Sequence, residues 1–292
     1  MQLNKTTLGI FDSGVGGLSV LRCIVEEMPD ASVIYVADQA HVPYGPRTLE
    51  QVRGFSEGIA RFLLAKGAHV VVVACNSASA AALADLRRMF PEVRFVGMEP
   101  AVKPAAEKTR SGMVGVLATP ATFQGALYAS VVERFAADVE LLRSTCPGLV
   151  EQIELGNLDG AATRGILNDA LRPMLAQGID TVVLACTHFP FVIPIIEEIV
   201  GDTVRVIDPA PAVARQALRL LRGDDTRRQS SRAGDMRFFT SGEPKAFEAM
   251  LQRLLGFTGD VAGLRWLSEN EVVEGPRRMT SGGTKAPPAS QR

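Results

Sequence analysis

Gly67-Ala68-His69-Val70-Val71-Val72-Val73-Ala74-Cys75 recurs later in the chain as Gly178-Ile179-Asp180-Thr181-Val182-Val183-Leu184-Ala185-Cys186. The step from Gly67 to Gly178, like that from Cys75 to Cys186, is 111 residues. Each copy is a glycine, a β-branched apolar run and Ala-Cys. An apolar run without alternation reads as a strand buried on both faces of a parallel sheet. Asn76-Ser77 after one copy and Thr187-His188 after the other read as helix starts. Two cysteines therefore hold one structural position in two similar halves. If the halves face each other, two thiols can address one ligand from opposite sides, as inversion at a carbon centre requires.

Working outward, Leu8–Phe11 reads as a strand, Asp12-Ser13-Gly14-Val15-Gly16-Gly17 as a turn and Leu18–Met28 as a helix. A strand over Val33–Ala37 ends in Asp38. Thr48-Leu49-Glu50-Gln51 has the form of a capping box, and the helix it opens places Val52, Phe55, Ile59, Phe62 and Leu63 on one face. Gly67 stands where a helix-ending glycine belongs, and a helix is expected from about Ser77 to Met89 after the first Ala-Cys strand. Met113–Leu117 then restarts the plan of Leu8–Phe11. A strand over Val204–Ile207 ending in Asp208, a helix over Ala212–Leu221, a polar loop over Arg222–Asp235, a strand over Phe238–Ser241 and a helix over Pro244–Leu255 close the pattern. From Gly275 onward the chain has no core-forming residues and is expected to be disordered.

Strands alternating with helices indicate an α/β fold with mainly parallel sheets flanked by helices. In such sheets ligands bind beyond the carboxyl ends of the strands, where Asp12, Cys75, Thr119 and Cys186 all fall.

The length of 292 residues suits two domains, and 47% apolar residues can supply their cores. A formal net charge of −1 argues against a general nucleic-acid binder or a basic membrane-surface protein. No apolar run approaches a membrane span. The start runs directly into a strand with no signal-peptide core, so a cytoplasmic location is expected. Cys23, Cys75, Cys146 and Cys186 are widely spaced, which speaks against a disulfide framework. With His41 and His69 scattered, the pair Cys186 and His188 makes a poor zinc site, and no metal is expected.

Cysteine titrates near ~8.5 and a helix N-terminus lowers this, giving Cys75 and Cys186 a route to thiolate character. The same N-terminus attracts an anionic ligand. The plainer reading is that both are small buried apolar residues; their equivalence within a repeat favours function. Asp12 and Ser13 read equally well as a helix N-cap or as groups that bind an anion or amine. No Lys-Ser/Thr follows the glycines, so a phosphate loop fits poorly. Glu154 and His188 are ambiguous, His188 being the more suggestive because it lies two residues beyond a candidate thiol.

Phe11-Asp12-Ser13-Gly14-Val15-Gly16-Gly17-Leu18, Val42-Pro43-Tyr44-Gly45, Ala74-Cys75-Asn76-Ser77-Ala78 and Cys186-Thr187-His188 together resemble the glutamate racemases of the cofactor-independent aspartate/glutamate racemase superfamily. Looser similarity runs through Cys146-Pro147 to Glu154 and through Phe238 to Pro244. The resemblance implies two similar α/β domains, pseudo-symmetric about an interdomain active-site cleft. Residues 1–99 with 209–274 would form the first domain and 100–208 the second, with 275–292 a disordered tail. Cys75 and Cys186 would be the two acid/base catalysts, with Asp12, Glu154 and His188 assisting. Ser13, Tyr44, Gly45, Asn76, Ser77, Thr119, Thr122 and Thr187 would fall on substrate-binding positions, together with Asp12 and His188.

The implied reaction is racemisation of glutamate without a cofactor, supplying D-glutamate for peptidoglycan in a cytoplasmic homodimer. Cys186 would take the α-proton of L-glutamate while Cys75 donates on the other face, with the roles reversed for D-glutamate. The sequence departs from the usual pattern at Ser77 (commonly Thr), Gln39 (Thr or Ser), His41 (Arg or Asn), Ala118 (Gly) and Pro209 (Ser); no catalytic group is lost. With no long segment before the first strand, control by a cell-wall precursor is not expected. Three alternatives stay open: a racemase of aspartate or another acidic amino acid, a hydrolase with one thiol nucleophile, and a non-catalytic amino-acid-binding protein.

Overall fold

The computed structural model describes residues 6–223 and 234–275. Most of the expected 222–235 loop and of the expected tail lies outside these residues. Gly275 itself is tied down, its N–H donating to the Gly263 carbonyl at 2.8 Å.

The first half alternates β1 (Thr7–Asp12), α1 (Leu18–Glu27), β2 (Ser32–Ala37), α2 (Leu49–Ala65), β3 (Ala68–Val73), α3 (Asn76–Met89) and β4 (Arg94–Gly97). The chain then enters α4 (Val102–Lys108), β5 (Met113–Ala118), α5 (Pro120–Gln124), α6 (Ala126–Phe135), β6 (Glu140–Ser144), α7 (Leu149–Glu154), α8 (Ala161–Ala176), β7 (Thr181–Ala185), α9 (Ile193–Val200) and β8 (Arg205–Ile207). It closes with α10 (Ala210–Arg222), β9 (Met236–Thr240), α11 (Pro244–Leu255), β10 (Val261–Ser268) and β11 (Glu271–Glu274).

One sheet has the order β11-β10-β9-β2-β1-β3-β4 and the other β6-β5-β7-β8. Every pairing is parallel except β10 with β11. The unit β2-β1-β3-β4 therefore returns as β6-β5-β7-β8, and β3 and β7, the two strands of the sequence repeat, hold the same place in it. The fold is α/β with two similar halves. The glycines that open the two copies behave alike: Gly67 follows α2 with φ +91° and Gly178 follows α8 with φ +90°. Left-handed backbone stops each helix and turns the chain into its strand.

Burial explains the lack of alternation. Val70 to Val73 and all of β7 are buried, because each sheet is covered on both faces. One apolar cluster runs from β1, β3, α1 and α10 through to α7, α8, β7 and α9, so the halves share a core. Two further clusters fill the outer faces of the two sheets. The capping box forms: Thr48 accepts from the Gln51 N–H, and Gln51 accepts from the Thr48 N–H.

Three expectations are corrected. Asp12 and Ser13 do not cap α1, which starts at Leu18 after Gly17 with no side-chain cap. Thr187-His188 does not open an α-helix: a single 3-10 turn, Phe189–Val192, precedes α9, because Pro190 and Pro194 each remove a backbone donor. The closing element does not end at α11, since β10 and β11 extend the larger sheet. Their half-exposed residues lack the period-two pattern that marks a strand in sequence.

Candidate active site

Parallel strands deliver their carboxyl ends to one side of a sheet, and the two sheets direct these ends at each other. Ser13 follows β1, Cys75 follows β3, Thr119 follows β5 and Cys186 follows β7. Ser13, Pro43, Tyr44, Gly45, Cys75, Asn76 and Ser77 from one half, and Thr119, Val150, Cys186, Thr187 and His188 from the other, line one small, tightly closed cavity. A larger, open hollow lies between β6 and α8, away from both cysteines, and none of the candidate residues lines it.

Asp12, Glu154 and Thr122 do not line the cavity; each stands one hydrogen bond behind it. Asp12 accepts from the Thr187 hydroxyl at 3.0 Å and from the Gly14 N–H at 2.8 Å. Glu154 accepts from His188 Nε2 at 2.6 Å, and His188 Nδ1 lies 3.8 Å from Cys186 Sγ. Thr122 bonds Thr119 at 2.9 Å, and Thr119 bonds Ser77 at 2.8 Å, joining the two halves through hydroxyls.

The two thiols sit in unlike surroundings. Cys75 is the residue before α3, and its Sγ is 3.9 Å from Ser13 Oγ. Burial pushes its thiol up, the nearby Asp12 carboxylate adds to this, and the Ala78 N–H opposes it. The lowering expected from the helix N-terminus is thus outweighed by desolvation. Cys186 instead faces His188. Burial works against charge on that ring, but hydrogen bonds to Cys186 and Glu154, and the negative groups around it, hold its pKa well above 6.5. Burial also works against Glu154, yet the bond and charge of His188, the Val15 N–H and the Gln39 amide keep its carboxyl below the ordinary 4.5. The arrangement is a chain of thiol, imidazolium and carboxylate, with His188 touching Cys186 through one ring nitrogen and Glu154 through the other. Burial raises Asp12 above its ordinary 3.8, partly countered by the charge of His188.

Asn76 supplies a different signal. Both polar atoms of its side-chain amide are buried with no protein partner, and the residue lines the cavity. A buried amide without partners is costly unless a ligand satisfies it. A site of this make-up can hold a small polar molecule between two thiols, one backed by a carboxylate and the other by an imidazolium. Its sequence matches the family model described as Asp/Glu/Hydantoin racemase over residues 9–217.

The chain belongs to the Asp/Glu/hydantoin racemase family. A glutamate racemase of Pseudomonas paraeruginosa is 50% identical over 266 residues, covering 90% of this chain and 99% of that one. A glutamate racemase of Roseiflexus sp. is 47% identical over 248 residues, covering 85% and 91%. Among solved structures, a glutamate racemase isoform of Bacillus anthracis superposes with a TM-score of 0.79 at 31% identity, covering 89% of this chain and 97% of that one. The Escherichia coli glutamate racemase in complex with L-glutamate and the activator UDP-MurNAc-ala gives a TM-score of 0.79 at 30% identity, covering 92% and 99%.

Two residues of this racemase-family chain escaped the sequence reading of the site. Asp38 follows β2 and is buried; it accepts from His41 at 2.8 Å, Tyr44 at 2.6 Å, Ser241 at 2.6 Å and Trp266 at 2.8 Å. It thereby fixes the loop that carries Tyr44 into the cavity. The strand-end rule that singled out Asp12 applies equally to Asp38. Gln39, visible in the sequence only as a departure from the usual residue, donates to Glu154. The other two histidines lie elsewhere: His41 stacks on Phe55, with ring centroids 3.9 Å apart, and His69 accepts from the Thr7 N–H.

Proposed function

We propose that the protein interconverts L- and D-glutamate by deprotonation and reprotonation at the α-carbon, supplying D-glutamate for peptidoglycan. The observation that carries this reading is a pair of thiols at equivalent strand ends, one from each half, lining one small cavity. The glutamate racemases at about half identity over nearly the whole chain support the choice of substrate. A single mobile base would tend to return the proton to the face it came from. Two fixed thiols avoid this and supply both acid and base, so the chemistry calls for no cofactor.

In the L to D direction Cys186, beside the His188 imidazolium, is the base, and Cys75, kept protonated by burial and by Asp12, is the acid. Reversal requires Cys75 as thiolate and Cys186 as thiol. Glu154 holds His188 charged and oriented, and Asp12 orients Thr187. The Asn76 amide and the hydroxyls of Ser13, Ser77, Thr119 and Thr187 are placed to bind the substrate's carboxylates and ammonium, with Tyr44 and Gly45 forming one wall. These dipoles, fixed before the substrate arrives, would stabilise the carbanion-like transition state in a cavity that excludes water. The proposed working form is a cytoplasmic homodimer whose subunits have residues 1–99 with 209–274 as one domain and 100–208 as the other.

Proton NMR of L-glutamate with the enzyme in D₂O, followed by chiral analysis, tests the reading. Loss of the α-proton signal with appearance of D-glutamate is expected, and neither Cys75→Ser nor Cys186→Ser should form D-glutamate. No exchange and no D-glutamate under reducing conditions would reject it. A covalent adduct on one thiol would point to hydrolase chemistry instead.

A further inference from the structure

Glu154 is held by three donors, and two of them come from the other half. His188, from its own half, donates to Oε1 at 2.6 Å. The Val15 N–H, in the loop after β1, donates to the same oxygen at 2.7 Å. Gln39 Nε2, just beyond β2, donates to Oε2 at 3.1 Å. The Gln39 amide is itself braced: the Thr240 hydroxyl donates to its Oε1 at 2.9 Å, and the Gly242 N–H donates to Thr240 Oγ1 at 3.0 Å. This fixes which way the amide faces. Reversed, it would set its carbonyl oxygen against a carboxylate, acceptor against acceptor.

We propose that Gln39 is a positioning residue of the reaction, a latch that crosses the cleft from β2 and β9 to hold Glu154 and, through His188, orient Cys186. When the halves separate to admit substrate, Glu154 loses the Gln39 and Val15 bonds together while keeping His188. When they close, both bonds return. Closure of the cleft and the electrostatics of the Cys186 relay are therefore one event. The proposal rests on the two-thiol reading of the site and adds to it a residue that touches neither substrate nor thiol.

The ionisable groups that face Glu154 are Asp12 at the end of β1, Tyr35 in β2 and His188, with Cys186 behind His188. Removing a donor from a carboxylate raises its pKa. A variant without the Gln39 amide should need a higher pH to keep Glu154 ionised, so the acid limb of kcat/KM should move up.

The test uses the full chain and measures kcat and kcat/KM against pH, by circular dichroism of glutamate, for the parent, Gln39→Leu, Gln39→Ser, Glu154→Gln and Gln39→Leu with Glu154→Gln. For Gln39→Leu, kcat/KM should fall about tenfold and the acid limb should rise by about one pH unit, the size expected for a lost bond to a charged group. Gln39→Ser, too short to reach Glu154, should behave alike. Both effects should vanish when Glu154→Gln is already present, as for two members of one hydrogen-bonded chain. An acid limb unmoved in both Gln39 variants, or an equal penalty with and without Glu154→Gln, overturns the latch. If Glu154→Gln alone leaves rate and pH profile unchanged, the assignment of Glu154 itself fails, and the latch with it.

Discussion

Gly16→Ala is a one-carbon perturbation aimed at His188 from the opposite half. A Cβ built on Gly16 would lie 2.4 Å from His188 Nδ1 and 2.6 Å from Thr187 Oγ1. Ordinary contact begins at 3.4 Å, so the ring must retreat by about 1 Å. Backbone conformation is not the obstacle, because Gly16 is not among the left-handed glycines. Nor can the loop readily yield: the Ser19 hydroxyl bonds the Gly16 carbonyl at 2.8 Å and the Thr187 carbonyl at 3.0 Å, tying the loop to the segment it would have to leave. The ring sits between Glu154 and Cys186, at 2.6 Å and 3.8 Å, so a shift of this size breaks the line of one contact or both.

Misplacement by 1 Å costs on the order of 100-fold in rate, or about 2.7 kcal/mol of barrier. The assay is circular dichroism of L- and D-glutamate over time, beside a thermal melt to show that the variant is folded. The two enantiomers have equal free energy, so kcat/KM must fall by the same factor in both directions, which provides an internal check. A folded Gly16→Ala enzyme with kcat/KM within threefold of the parent would refute the reasoning.

Asp12→Asn should separate stability from activity. Folding raises the Asp12 pKa above 3.8, so this group favours the folded state only when protonated, below that value, and the contribution is lost as pH rises through the raised pKa. At neutral pH the asparagine variant should therefore melt no lower than the parent while kcat/KM falls at least about tenfold; a clear drop in melting temperature would contradict this. Asp38→Asn leaves one acceptor oxygen for four donors, and Trp266 Nε1 cannot reverse its role. A loss of about 2–3 kcal/mol is expected, seen as a melting temperature lower by roughly 5–10 °C, and an unchanged melt would discount the hub. Gly67→Ala and Gly178→Ala should each cost about 1–2 kcal/mol in denaturant unfolding. A Cβ at either glycine meets nothing within 4 Å, so the cost is backbone alone. The two costs should match within about 0.5 kcal/mol and add in the double variant with activity intact, and unequal costs would break the equivalence of the copies.

The sequence by itself determined whatever depends on neighbours along the chain. The repeat placed both cysteines after equivalent strands, because a buried parallel strand needs an unbroken apolar run and a glycine to turn into it. Thr48 and Gln51 announced the start of α2, because a capping box closes within four residues. Asp12 showed where local reading stops. A carboxylate before a glycine turn has the same local form whether it caps a helix or serves a site, and the choice was made by Thr187, 175 residues away. Glu154 likewise takes its charge and orientation from Val15, Gln39 and His188, partners 139, 115 and 34 residues distant. Asp38 is held by Trp266, 228 residues on, in a strand whose half-exposed residues gave no periodic signal. Only the tertiary structure could decide these matters, because the charge of a buried group is set by the donors, dipoles and desolvation around it, and folding alone brings those together.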